Sequence, residues 1–218
     1  MDGNLTIVDQ AVALVLFAHG SGSSRHSPRN QFVARRLNDA GLATLLFDLL
    51  TSEEEAVDLY TREHRFNIGL LAERLLYATR WAHEQKQTRD LRVSCFGSST
   101  GAAAALMAAA ELPDEIAAVV SRGGRPDLAA SALDRVKAPT LLIVGGADDV
   151  VLKINRAALA WLDGGGPHQL AVIPGATHLF EEPGALDEVA RLARGWFETY
   201  LTPSEARLPH GEPMMPGP

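Results

Sequence analysis

Cysteine is almost missing from this sequence, because its 218 residues include only Cys95. A single cysteine forms no internal disulfide, so the chain lacks the framework that stabilises many small secreted proteins. Cys95 lies in an apolar segment, and we expect a buried thiol that takes no part in chemistry. This absence therefore excludes disulfide-stabilised folds.

A basic leader and a long apolar run are missing as well. Residues 1–4 (MDGN) carry no positive side chain, whereas a secretory signal begins with one. The apolar run Ala11–Ala18 is shorter than the ~20 residues that cross a membrane. We therefore expect a cytoplasmic protein that does not contact a membrane.

Positively charged residues are also scarce. The sequence has 20 Lys and Arg but 27 Asp and Glu, which gives a net charge of −7. Phosphate groups bind to clustered Lys and Arg. The N-terminal arginines are instead spread through one loop and one helix: Arg25, Arg29, Arg35 and Arg36. The sequence therefore argues against a nucleic-acid partner.

What the sequence does contain is an alternation of short apolar runs with helical patterns. Six strands are predicted, at Ala11–Ala18, Leu42–Leu50, Arg92–Phe96, Ile116–Val120, Thr140–Val144 and Gln169–Ile173. Helices are predicted between them, at Asn30–Ala40, 51–86 (broken near Asn67), Ala102–Ala110, Ile154–Leu162 and Leu186–Tyr200. Strands that are apolar on both faces predict an α/β fold, with a mostly parallel sheet of six to eight strands flanked by helices on both faces. We expect residues 1–201 to form one domain and the Pro/Gly-rich residues 202–218 to be a flexible tail.

A G-x-S-x-G pattern, Gly97-Ser98-Ser99-Thr100-Gly101, follows the third predicted strand and precedes an alanine-rich helix. In that position a sharp turn lifts the serine hydroxyl above the sheet. Ser99 is centred between the glycines and is the predicted nucleophile, with Ser98 as the neighbouring alternative. The competing interpretation is a Gly/Ser-rich turn without chemistry.

A serine nucleophile needs a base, which a third group must orient. Three histidines follow Ser99 in the chain: His168, His178 and His210. His168 precedes the last predicted strand and His210 lies in the Pro-rich tail, whereas His178 closely follows that strand, at the carboxyl edge where parallel sheets bind ligands. His178 is therefore the predicted base.

The acid is expected in the loop after the fifth predicted strand, where Asp148 and Asp149 are adjacent. Spacing alone does not choose between them, because one of the two carboxylates can cap the next helix. Asp114 and Asp127, which lie on either side of the preceding predicted strand, fit less well.

An oxyanion hole needs two N–H donors, one from the residue after the nucleophile and one from an early loop. These are Thr100 and a residue of the loop His19–Ser23. The loop matches neither the phosphate-loop pattern nor the dinucleotide pattern, which disfavours a phosphate cradle. We expect His19 itself to be structural.

Together these motifs resemble the α/β-hydrolase superfamily, and most of all its dienelactone hydrolase-like branch, over about residues 11–200. The resemblance implies an α/β-hydrolase fold without a large cap domain. It implies Asp148 as the acid, at the Asp of G-x-x-D-x-x-V, and the backbone N–H of Ser21 as the second oxyanion donor. Dienelactone hydrolases use a cysteine nucleophile where this chain has Ser99, which favours simpler carboxylic esters. Residues 24–30 resemble a segment of members found alone or fused to phosphoribosyltransferase domains.

The predicted function is that of a carboxylesterase-like serine hydrolase that needs no cofactor and no metal and acts on a small-molecule ester. A thioesterase, lactonase or peptidase uses the same triad, and a non-catalytic binding protein on a hydrolase scaffold is the alternative from another class. We expect a monomer or homodimer. Residues 51–70 are expected to shape the pocket, although their charges (Glu53, Glu54, Glu55, Arg62 and Arg65) are interpreted mainly as a solvated helix face. Candidate substrate-binding residues are Ser23, Arg25, Arg122 and Arg125.

Overall fold

The computed structural model describes residues 1–162 and 164–201. In this part of the chain, seven strands form one sheet in the order β1-β3-β2-β4-β5-β6-β7. Strand β1 is antiparallel to β3, and every other neighbouring pair is parallel. The strands are β1 (Gly3–Thr6), β2 (Ala13–Ala18), β3 (Ala43–Phe47), β4 (Arg92–Ser98), β5 (Ile116–Arg122), β6 (Thr140–Gly145) and β7 (His168–Ile173). The predicted α/β class and mostly parallel sheet are confirmed, while the tail 202–218 and His210 lie outside the described residues.

Helices cover both faces of this sheet. Two helices, α1 and α6, pack together on one face, and α3, α4 and α5 pack on the other. No large cap domain covers the sheet in the described residues, and none of the helices described there is long and apolar enough to cross a membrane. The helices are α1 (Pro28–Asn38), α2 (Ser52–Thr61), α3 (Ile68–Glu84), α4 (Thr100–Glu111), α5 (Asp149–Leu159) and α6 (Ala185–Leu201), with 3₁₀ segments at His64–Phe66 and Pro126–Arg135.

The interior strand β2, which lies between β3 and β4, shows why the sequence folds this way. All six of its residues are buried, and successive side chains enter opposite cores because a strand alternates its faces. Leu14 and Leu16 pack toward α3 and α4, whereas Phe17 packs toward α1 and α6. Phe17 also meets Phe96 of β4 at a ring-centroid distance of 4.9 Å. Burial of each such side chain contributes about 2 kcal/mol, so β2 anchors both layers.

Cys95 lies in the same buried region, in β4. The residue is 0% exposed, and burial raises the pKa of its thiol to about 12. The expectation of a buried thiol is confirmed.

Two elements are missing from the sequence prediction. Strand β1 is short and mostly exposed, so it carries no apolar pattern, and it is an edge strand held by β3. The 3₁₀ segment Pro126–Arg135 has a kink at Ala129 that breaks helical periodicity. Helix α5 also begins five residues earlier than predicted, at Asp149 rather than Ile154, because the Asp148 side chain caps it.

Candidate active site

The turn between β4 and α4 holds Ser99 in a strained backbone conformation, with φ of 51° and ψ of −118°. Such a conformation costs a non-glycine residue about 1–3 kcal/mol and persists only where its surroundings fix it. Here the Ser99 N–H donates to the Arg122 carbonyl at 3.2 Å, and the Ser99 carbonyl accepts from the N–H groups of Ala102 and Arg125, each at 3.1 Å. These three hydrogen bonds therefore fix the backbone of the turn at both the N–H and the carbonyl of Ser99.

The glycines of the motif allow strand and helix to approach closely. A Cβ at Gly101 would lie closer than 3.0 Å to the carbonyl oxygens of Ala18 and His19, and one at Gly97 would lie as close to the Ala102 backbone. Real Cβ atoms do not make such contacts, so a side chain at either position would force the backbone apart. The loop after β2 comes close as well, because a Cβ at Gly20 would be 3.1 Å from the Ser99 Cβ.

The loops after β6 and β7 bring an acid and a histidine together. His178 Nδ1 lies 2.7 Å from Asp148 Oδ2, and the Asp148 side chain is 14% exposed. A carboxylate at this distance accepts the Nδ1–H and leaves Nε2 free to accept a proton. Asp149, in contrast, lies exposed in the first turn of α5. The structure therefore brings Asp148, and not Asp149, to His178.

Backbone contacts fix these two loops to each other. The Gly146 N–H donates to the Ile173 carbonyl at 2.8 Å, and the Ala147 N–H donates to the Ala176 carbonyl at 2.9 Å. The His178 ring then lies against Gly123, where a Cβ would be 3.4 Å from Nδ1 and Cε1. Gly123 directly follows Arg122, the residue that accepts the Ser99 N–H. The Ser99 turn and His178 therefore share the loop after β5.

Ser21 and Thr100 are also neighbours, but not in the expected way. The Ser21 N–H donates to Thr100 Oγ1 at 3.0 Å, and the two hydroxyl oxygens are 2.9 Å apart. The Ser21 hydroxyl donates to the Arg65 carbonyl at 3.2 Å. The Ser21 N–H is therefore engaged in this structure. As the first residue of α4, Thr100 has a backbone N–H with no partner inside the helix.

Of the candidate substrate-binding residues, Arg25 and Arg125 are held in ion pairs. The Arg25 guanidinium pairs with Asp48 and lies 3.6 Å from Asp2. Arg125 donates to both carboxylate oxygens of Asp127, at 2.9 Å and 2.7 Å. Neither arginine is left to receive a substrate carboxylate without giving up its partner.

Arg122 is buried behind the site, with 7% of its surface exposed. Its Nε donates to the Ser98 hydroxyl at 3.3 Å, and its guanidinium carbon lies 5.8 Å from the centre of the Phe180 ring. Burial, together with the nearby positive charge of Arg29, lowers the pKa of Arg122 to about 10. Arg122 therefore supports the segment after His178 from within the protein, rather than facing an opening.

A cavity of about 210 Å³ opens beside the Ser99 turn, and we refer to it as the side cavity. Ser23 lies in its wall, as do four residues of the segment 51–70, which was expected to shape a pocket. The side cavity is lined by residues 19–24, 48–50, Glu55, Asp58, Leu59, Arg65 and Leu71. Two of the charged residues interpreted as a solvated helix face, Glu55 and Arg65, line this cavity, and Glu55 is exposed to solvent as well. Asp58 also lines the cavity.

His19 forms part of the cavity wall and is structural, as expected. Its Nε2 accepts the Leu49 N–H at 3.1 Å, and its Nδ1–H donates to the Gly20 carbonyl at 3.0 Å. Burial lowers the pKa of His19 below its usual value, so the ring is neutral near pH 7. Within residues 1–162 and 164–201, no three His, Cys, Asp or Glu side chains are grouped so that they could hold a metal ion.

The chain is similar to proteins of known family and known structure. The model of the dienelactone hydrolase family matches residues 3–200. A dienelactone hydrolase structure from Anabaena variabilis is 61% identical, with a TM-score of 0.89 over 92% of each chain. Est1E from Butyrivibrio proteoclasticus is 16% identical, with a TM-score of 0.75 over 90% of this chain and 93% of its own, and shares the fold.

Two Mycobacterium tuberculosis proteins, from two strains, are 57% identical over 199 residues. Each bears the name "Putative phosphoribosyl transferase". The match covers 91% of this chain but 44% of each relative. The chain therefore spans less than half the length of these relatives.

Proposed function

The chain belongs to the dienelactone hydrolase family of α/β-hydrolases, and from this premise we propose that it cleaves small carboxylic esters by a serine mechanism. The observation that carries the proposal is the pairing of His178 with Asp148 at 2.7 Å, on the same sheet edge as the strained Ser99 turn. A turn without chemistry would not require a strained serine on the same sheet edge as a histidine oriented by a carboxylate.

In the proposed reaction, His178 Nε2 takes the Ser99 proton while Ser99 Oγ attacks the ester carbonyl. The tetrahedral intermediate collapses, the alcohol leaves with the proton from His178, and Ser99 remains acylated. A water that gives its proton to His178 then attacks the acyl-enzyme, and the carboxylic acid leaves. Asp148 keeps the proton on Nδ1 and stabilises the imidazolium form.

The Thr100 N–H, at the positive end of α4, is the first proposed oxyanion donor. We retain the Ser21 N–H as the second donor, with its bond to Thr100 Oγ1 exchanged for a bond to the oxyanion. Such an exchange fits the behaviour of catalytic hydrogen bonds, which are often formed only in the substrate complex.

The test compares the two neighbouring serines, Ser99→Ala and Ser98→Ala, on short p-nitrophenyl esters. We expect Ser99→Ala to lose about 10³-fold or more in kcat and to lose labelling by a fluorophosphonate. Ser98→Ala should keep the label, because its hydroxyl donates to Asn30 Oδ1 at 3.0 Å. Equal hydrolysis by wild type and Ser99→Ala would refute the serine mechanism.

Thioesters, lactones and anilides belong in the same assay, because the same three residues would serve a thioesterase, lactonase or peptidase. No geometry in the described residues favours phosphoribosyl transfer, the activity in the name of the longer relatives. We further propose that the protein works in the cytoplasm without a metal or organic cofactor, as a monomer or homodimer.

A further inference from the structure

We infer that the side cavity receives one arm of the ester and that Glu55 makes it prefer an arm with a cationic group over a neutral or anionic one. This inference rests on the proposed function, because it assigns the substrate class of the same site. It makes Glu55 a specificity-determining residue.

The first step is the position of the side cavity. Gly20 and Ser21 line it; a Cβ at Gly20 would be 3.1 Å from the Ser99 Cβ, and Ser21 bonds to Thr100. An ester held at Ser99 can therefore extend one arm past Gly20 into the cavity. Its volume of about 210 Å³ corresponds to about seven water molecules of liquid, which suits a short arm.

The second step is the charge of the lining, which contains the carboxylates of Asp48, Glu55 and Asp58 against the one guanidinium of Arg65. The neutral His19 adds no charge. Asp48 is already paired with Arg25, and Asp58 with Arg65 at 2.5 Å. Glu55 has no ion-pair partner within residues 1–162 and 164–201. One carboxylate is therefore left for a ligand.

The third step is that the arginines in and near the cavity are already paired, which leaves few positive groups to bind an anion. Arg65 donates its Nε to Asp58 Oδ2 and its Nη2 to the Asp58 carbonyl at 3.1 Å. The Asp58 side chain is only 2% exposed, so this pair is fixed in place. The nearby Arg74 is paired with Glu54 at 2.5 Å. A carboxylate on the entering arm would meet Glu55 without a free guanidinium.

The experiment uses esters whose arms differ in charge: the cationic 2-(trimethylammonio)ethyl, its neutral isostere 3,3-dimethylbutyl, and the anionic 2-carboxyethyl. Matched series vary the alcohol arm and, separately, the acyl arm. In one series we expect kcat/KM to fall from cationic to neutral to anionic, with the cationic ester about two- to fivefold ahead of its neutral isostere, as expected for an exposed charge pair. Glu55→Gln should abolish this ratio, and added salt should reduce it.

Glu53→Gln is the matched control, because Glu53 lies on the same helix but outside the cavity lining. It should keep the wild-type ratio. Equal rates for the cationic and neutral esters in both series, or the same ratio in Glu55→Gln as in wild type, would overturn the inference.

A measurement without turnover separates this inference from the proposed function. Ligand-observed NMR on the Ser99→Ala protein compares choline with 3,3-dimethylbutanol, with and without Glu55→Gln. Choline binding that depends on Glu55, in a protein whose wild type hydrolyses no ester, would support the cavity and refute the ester hydrolase. Ester hydrolysis without Glu55-dependent choline binding would do the reverse.

Discussion

The sheet edge that carries Ser99 and His178 reaches the side cavity through Gly20 and Ser21, and α2 forms another wall of that cavity. The two regions are held by different kinds of contact. At the edge, backbone groups bond to backbone groups, and glycines let the main chain of one element touch the next. In the wall, the one buried residue of α2 is Asp58, and the helix is tied down by side-chain ion pairs.

The apolar side chains of α2 make the contrast sharper, because two large ones remain exposed, Leu59 by 67% at the cavity and Tyr60 by 90%. Helix α2 is held by two ion pairs rather than by a packed apolar face. We therefore expect its local unfolding to cost less free energy than unfolding of the core. A reaction requires the reacting atoms to be held within about 0.5 Å of their positions. A wall that selects substrates tolerates looser positioning. Under the proposed function, the rigid edge carries the reaction and the α2 wall selects the substrate.

The largest expected effect comes from a methyl group at the rigid edge. Gly101→Ala would place a Cβ closer than 3.0 Å to two carbonyl oxygens, and we expect it to lower the free energy of unfolding by about 3 kcal/mol or more. Urea unfolding measures the change.

Gly195→Ala in α6 is the matched control, since beyond its chain neighbours and the backbone of its own helix no atom lies within 4 Å of the added Cβ. It should stabilise the protein by about 0.5–1 kcal/mol, because alanine favours a helix over glycine. Similar losses in both variants would show that the edge is no tighter than the surface.

Loosening the wall should have a smaller and local effect. Asp58→Asn removes the charge that Arg65 holds, and we expect a loss of about 2 kcal/mol. Amide exchange in α2 should accelerate while α4 stays protected, and KM should rise more than kcat falls.

Asp187→Asn is the control for this change, because its pair with Arg36 at 3.1 Å is exposed on both sides. It should cost less than about 0.5 kcal/mol. If Asp58→Asn exposes α4 as fast as α2, the two regions are one cooperative unit and the comparison fails.

A pH dependence should report on His19, which joins the two regions through Gly20 and Leu49. Burial lowers its pKa in the folded state, so the unfolded chain takes up a proton first as pH falls. Stability is therefore full above about pH 6.5 and declines below it, by at most about 1.4 kcal/mol per pH unit.

Urea unfolding between pH 5 and 7.5 checks this slope in wild type and in His19→Gln. The variant should lose part of the slope, and His168, whose pKa burial also lowers, contributes to the slope that remains. An unchanged slope in His19→Gln would refute the assignment.

The smallest expected effect concerns the outer surface of α2. Tyr60→Ser should change the free energy of unfolding by less than about 0.5 kcal/mol, because the side chain has little to lose. A larger loss would mean that α2 is held by apolar contacts on the side assigned to solvent.

The sequence could predict features that depend on local pattern. Alternating apolar runs indicate the parallel sheet, and Thr51 followed by acidic residues predicts the start of α2, where the structure has a capping box between Thr51 and Glu54. The order of the loops likewise brings Asp148 and His178 to one edge. Strand β1 could not be predicted, because it is short and mostly exposed and is stabilised by its pairing with β3.

Features that depend on side-chain geometry could not be predicted. The bond from Ser21 to Thr100 joins residues 79 positions apart and depends on how the threonine hydroxyl is turned. The charges of α2 look like a solvated surface in sequence, and only the fold directs Glu55 and Asp58 toward a cavity. Both features depend on long-range packing and on side-chain rotamers, which produce no periodic pattern in the sequence.

Because its single cysteine is buried, this protein is well suited to site-specific labelling. Cys95 is wholly buried, with a pKa near 12, so a thiol reagent should not modify the native state and its uptake would time global unfolding. A cysteine introduced by Tyr60→Cys would then be the single accessible attachment point for a fluorophore or spin label in the native protein. Movement of α2 could be followed from that label without removing any native residue of the core.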